Sequence, residues 1–145
     1  MSELGLAEYL PAIRNYREML EDKQSDFWDY LVGKTRADRS YTGVFEFDDG
    51  PPNKIILNGV AITLVASARI VFQDKQPVSL QEFSVERDKK LIPIVRLYST
   101  LEGEFYLGDI SDEGYIDTHL KKLYREFFDE AIRSLSKLGF ISLPI

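Results

Sequence analysis

Two arginines are the first residues whose type and setting suggest chemistry. Arg69 and Arg96 each sit inside an apolar run that reads as a strand, on the parity opposite to the one expected to pack against a helix. Guanidinium pairs well with carboxylate or phosphate. If the sheet curls, Arg69, Arg96, Thr63 and Tyr98 line a concavity suited to an anion. The competing reading, a solvated outer face, is the expected one for alternating strands. His119 is the sole histidine and the default general acid or base near neutral pH, with Asp112, Glu113 and Asp117 close in sequence. Its place off the apolar stripe of the following helix points to simple exposure. A carboxylate pair such as Glu46 with Glu104 carries no weight, because 24 acidic residues always bring some pair together. No serine lies in a G-x-S-x-G elbow, no Gly-rich phosphate loop occurs, and one histidine cannot make an H-E-x-x-H zinc site. No cofactor is expected.

A short acidic segment offers a metal as its alternative. Asp109, Ser111, Glu113 and Asp117 place oxygens at loop positions one, three, five and nine, with Gly114 at six and Ile116 at eight. Over those nine residues the segment resembles an EF-hand calcium loop, which alternates short oxygen ligands around a sharp glycine turn. Position twelve, where a bidentate Glu belongs, is Leu120, and a strand rather than a helix precedes the loop. The expected reading is a strand-to-helix loop whose acidic residues favour the helix N-terminus.

Aromatic and apolar residues near the two ends of the chain are candidates for protein binding. Phe27 and Leu31 face the core at helical spacing, which leaves Trp28 on another side with Tyr30 near it, and large aromatics make good anchors. Burial of Trp28 under an adjacent loop is the preferred alternative. The tail from Phe140 to Ile145, with Leu143 inside it, is apolar and is expected to pack down.

The elements that must position these residues follow from periodicity. Residues 4–32 carry a helical stripe of Leu6, Tyr9, Leu10, Ile13, Tyr16, Leu20, Phe27 and Leu31. A break at Lys23-Gln24 would let Ser25 cap a second helix, Pro11 starts or kinks the first, and Gly33 is the expected stop. Residues 41–110 read as an antiparallel meander. Asn58-Gly59 signals a two-residue hairpin. Val60 to Gln73 alternates for so long, about 46 Å at ~3.3 Å per residue, that a bend is expected at Ala66-Ser67-Ala68. The strand from Val78 to Arg87 changes its apolar parity midway, which suggests a bulge near Gln81-Glu82. Pro93 marks the start of the next strand as a sheet edge. Leu120, Leu123, Tyr124, Phe127, Phe128, Ala131, Ile132, Leu135 and Leu138 define a C-terminal amphipathic helix, capped at its start by Asp117 or Thr118 and at its end by Gly139.

The fold class expected is therefore α+β: an N-terminal helical segment, an antiparallel meander of five or six strands, and a long C-terminal helix on one face. At 145 residues, with 44% hydrophobic and 29% charged, the chain reads as one soluble domain over 1–145. A net charge of −6, with Lys34, Arg36 and Arg39 interrupted by Asp38 as the densest basic patch, argues against nucleic acid. No apolar run is long enough for a bilayer, and Met1 to Leu6 lacks the pattern of a signal peptide. Without cysteine, a cytoplasmic location is expected. The functional expectation is a small non-enzymatic interaction module with a protein partner and a capacity to self-associate. A domain binding small anions, and a carboxylate-dependent enzyme, are the alternatives.

Overall fold

The computed structural model describes residues 6–108, 115–116 and 123–142. The chain starts with one helix, α1 (Leu6–Ala37), then forms strands β1 (Phe45–Asp48), β2 (Lys54–Leu57), β3 (Ile62–Gln73), β4 (Gln76–Arg87), β5 (Lys90–Ser99), β6 (Phe105–Leu107) and β7 (Tyr115–Ile116), and ends with α2 (Leu123–Lys137). Every strand pairs antiparallel with its sequence neighbour, so the spatial order is β1-β2-β3-β4-β5-β6-β7. The α+β class and the meander agree with the sequence, with one further two-residue strand. The sheet curls into a half-barrel.

Both helices lie on one face. Ile55, Leu57, Ile62, Leu64, Phe83, Val85, Val95 and Leu97 point toward them and meet Phe27 and Leu31 of α1 and Leu123, Phe127, Phe128, Ala131 and Leu135 of α2. Aromatic contacts knit the two helices and the sheet: the ring of Phe127 lies 4.9 Å from Phe83 and 5.4 Å from Phe27, and Phe128 stacks on Phe45 at 3.9 Å. Edge-to-face and offset pairs of this kind add to what area burial alone contributes. Gly139, at φ 81°, ends α2 in the left-handed conformation, and the Phe140 N–H donates to the Leu135 carbonyl at 2.9 Å. That 6→1 bond satisfies one of the helix's orphan carbonyls and turns Phe140 back onto the core.

Several local expectations change. α1 runs unbroken through Lys23, Gln24, Ser25 and Gly33, because burial of Phe27, Trp28, Leu31 and Thr35 holds its second half in register over the sheet. Asn58-Gly59 belongs to a four-residue loop, since Leu57 pairs with Ile62, and Ala61 takes the second positive φ, 55°. The two-residue hairpins are instead Asp74-Lys75 and Asp88-Lys89, with all four φ angles between 50° and 65°. β3 pairs with β4 from Val65 to Gln73 without a shift, and what changes at Ala66 is that β2 has ended. The bulge lies on β5 at Ile94, between the pairs Phe83↔Val95 and Ser84↔Pro93. β4 changes apolar parity because it is central and buried on both faces: Val78 is 3% exposed and Leu80 2% on the outer face, Phe83 1% on the inner. Pro93 does mark an edge among the described residues, where β6 pairs with β5 only at Leu97–Ser99.

Candidate functional site

A straight helix of 32 residues spans about 48 Å, longer than the sheet beneath it can cover. The contacts of α1 record where it leaves the core. Phe27 meets Phe83 and the carbonyl of Lys23 accepts from Gln81, both on β4, whereas Tyr16 meets Phe72 of β3 edge-to-face at 5.6 Å. Toward its N-terminus the helix thus passes from β4 to β3. Under it the sheet presents Ala66, Ala68, Ser79 and Gln81 rather than large apolar groups. Ser79 is fully buried opposite Ser99, and the hydroxyls of both have no hydrogen-bond partner among the described residues. The turns before Tyr16 leave Leu10 49% and Ile13 55% exposed, and Phe72 beside them is 57% exposed. Leu101, also exposed, flanks the same end of the β3–β4 hairpin, where it shares a groove with Gln73, Gln76 and Pro77. Four large apolar side chains therefore lie uncovered at one pole.

A cleft of about 630 Å³ opens between α1 and the β1–β2 loop. Glu21, Gln24, Ser25 and Trp28 form one wall, and Gly50 to Asn53 with Ala66 the other. Trp28 is buried, its ring against Phe47 and its Nε1–H donating to Asp49 Oδ1 at 2.6 Å. Asn53 Oδ1 accepts from the Gly50 N–H at 2.8 Å, and a Cβ on Gly50 would run into the Pro52 carbonyl. The wall is thus tightly built, with Trp28 as its floor rather than as an exposed anchor.

Arg69, Arg96 and Tyr98 do share the outer face, as expected. Glu82 stands between the arginines and takes both on one oxygen, Arg69 Nη2 at 3.4 Å and Arg96 Nε at 3.6 Å. Tyr98 lies one row away, paired with Leu80, which itself pairs with Arg69. Thr63 is on the same face but six residues along β3, about 20 Å away, and is not part of this group. The triad carries one net positive charge on an exposed surface, where each pair adds ~1 kcal/mol or less.

A second polar group staples the helices together. Tyr124 donates its hydroxyl to Asp38 Oδ2 at 2.6 Å, Arg125 Nε donates to that hydroxyl at 3.1 Å, and Arg125 Nη2 reaches Asp38 at 3.3 Å. The Tyr124 hydrogen bond, aided by the Ser40 N–H and Arg125, holds the Asp38 carboxyl below the ordinary carboxylate range. Tyr30 accepts the Tyr124 backbone N–H at 3.2 Å, and burial pushes its phenol upward. Tyr30 is thereby engaged in the fold. Phe140, partly buried, lies under the Arg87 guanidinium at 4.0 Å. The candidate calcium ligands Asp109, Ser111, Glu113 and Asp117, together with His119 and Leu143, lie outside the described residues. Among the described residues no group of three His, Asp or Glu side chains could hold a metal ion, and no helix is long and apolar enough to cross a membrane.

The structure defines an α+β protein with a seven-strand meander and both helices on one face. Compared with known proteins, the chain matches no family model, no curated sequence and no solved structure. Leu10 and Ile13 of the apolar pole were visible in the sequence only as part of a stripe that reads as core. The signal that separates them is length, since a helix this long outruns its sheet.

Proposed function

We propose that this chain is a non-enzymatic protein–protein interaction module that binds through the pole formed by Leu10, Ile13, Phe72 and Leu101. The observation that carries the reading is that these four side chains, each about half exposed, gather at one end of the molecule, whereas the other exposed large apolar residues, Val44, Val60, Leu91 and Leu138, lie in or beside separate turns. Clustered apolar exposure of this kind marks interaction surfaces in monomeric folds. The absence of cysteine supports a reducing compartment, and we place the protein in the cytoplasm on that ground. The test is capture on tagged protein read by native mass spectrometry. Wild type retains a stoichiometric protein, Ile13→Asp and Phe72→Asp lose it, and Thr63→Asp, on the outer face, keeps it. Retention that ignores both pole substitutions contradicts the reading.

A second reading, an anion site on the outer face, is favoured by the convergence of Arg69 and Arg96, whose combined charge exceeds that of Glu82. Thermal-shift titration with phosphate and citrate tests it. Stabilisation that disappears in Arg69→Ala and Arg96→Ala supports a site, and no shift in wild type removes it.

A further inference from the structure

We propose that the open edge of β3 pairs antiparallel with the same edge of a second copy of this chain, with the two-fold axis at Val71. The proposal rests on reading the adjoining pole as an interface and names its occupant.

The edge is open because β2 is short. β2 pairs with β3 only as far as Val65, and beyond it the last contact in that lane is the Ala66 N–H donating to the Asn53 carbonyl at 2.9 Å. Backbone groups alternate along a strand, so the N–H and C=O of Ala68, Ile70 and Phe72 point the same way as those of Ala66. Among the described residues no strand pairs with them on that side. The edge is also unguarded. β5, which also has a long open stretch among the described residues, carries Pro93, the bulge at Ile94 and Lys89-Lys90 at its start, devices that discourage strand addition. Between Ala66 and Gln73 there is no proline, lysine or bulge, and Arg69 is the single charge.

Charge and space then select the register. An axis at Arg69 would set two guanidiniums opposite each other, which is destabilising. With the axis at Ile70, Asp74 of the second copy would fall opposite Ala66, in the position that Asn53 already occupies. At Val71 neither problem arises. Ile70 faces Phe72 of the second copy, Phe72 faces its Ile70, Val71 faces Val71, and Arg69 faces Gln73. Aromatic against β-branched is a favourable cross-strand pair, and the symmetry makes it twice. A strand edge alone falls short of the roughly 800 Å² per partner typical of stable association. The turns of α1 that pass beyond Phe72 supply the remainder, since Ile13 and Leu10, half exposed in one copy, are covered when two meet.

The chain contains no cysteine, so a single Val71→Cys provides its only thiol. Facing residues at a non-hydrogen-bonded antiparallel position lie close enough for a disulfide. Val71→Cys under mild oxidant should form a covalent dimer at least tenfold faster than Ser67→Cys, whose two thiols would lie about 26 Å apart in this register. In sedimentation equilibrium wild type should show a concentration-dependent dimer, and Phe72→Asp should weaken it at least tenfold. Equal cross-linking rates for the two cysteine variants, or a wild-type chain that stays monomeric to about 1 mM, overturn the proposal. A monomeric chain that still loses its captured partner through Phe72→Asp overturns only the second-copy assignment. If capture ignores that substitution as well, the interface reading falls with it.

Discussion

Backbone conformation at Asp74-Lys75 sets a cost that a single substitution relieves. Both residues hold positive φ, 50° and 65°, in a two-residue hairpin where a β-carbon is disfavoured. Lys75→Gly should therefore stabilise the protein by about 1 kcal/mol, raising the thermal midpoint by roughly 3–4 °C in a differential scanning measurement. The Asp74-Lys75 hairpin was not legible in the sequence, because Asp-Lys is a poor turn signal and Asn58-Gly59, the strong one, serves a four-residue loop. At Asp38 the prediction concerns pH. Its carboxyl titrates lower in the folded protein than in the unfolded chain, so the unfolded state binds more protons as pH falls. The resulting stability is present above the unfolded value, near 4, and is lost as pH drops through the lower folded value. Tyr124→Phe removes the largest cause of that shift. Its stability should fall less steeply than that of wild type between pH 5 and pH 2, as followed by urea midpoints.

At the scale of elements, α2 and β3 were the most legible parts, because their apolar periods are long and uninterrupted. Phe127, fully buried where α1, α2 and β4 meet, is the central member of that packing. Phe127→Ala should cost about 3–5 kcal/mol through lost burial and the cavity left behind, measurable by denaturant unfolding. In α1, Lys23-Gln24 and Gly33 look like interruptions in the sequence, yet the helix runs through both. Tertiary contacts override them: Gln81 donates to the Lys23 carbonyl, and Thr35, beyond Gly33, is 1% exposed. Gly33 is exposed inside this helix with open space around the position of a β-carbon. Gly33→Ala should accordingly stabilise by up to ~1 kcal/mol in the same unfolding measurement. A Gly33 that served as a helix stop would lose stability on that change.

The whole molecule buries most of its large apolar residues where helices and sheet overlap, and Leu10, Ile13 and Phe72 stay exposed where α1 outruns the sheet. Sequence alone could not show this boundary. Leu10 and Ile13 continue the same stripe as Phe27 and Leu31, and only the path of the helix from β4 to β3 tells the two groups apart. Arg69 and Arg96 illustrate the converse: their shared face was readable from parity, whereas Glu82 between them depended on strand register. Trp28, the most conspicuous anchor in the sequence, is consumed by the fold through Phe47 and Asp49. The central claim is that the exposed pole and the β3 edge beside it form an interface. Residue-resolved amide hydrogen exchange tests it most directly, because the amides on that edge belong to alternate residues. In dilute protein Arg69 and Val71, bonded to β4, should exchange slowly while Ile70 and Phe72 exchange fast. Raising the protein concentration, or adding the captured partner, should slow Ile70 and Phe72 at least tenfold. Fast exchange at Ile70 and Phe72 under every condition, with no protection spreading to Leu10 or Ile13, would contradict the account.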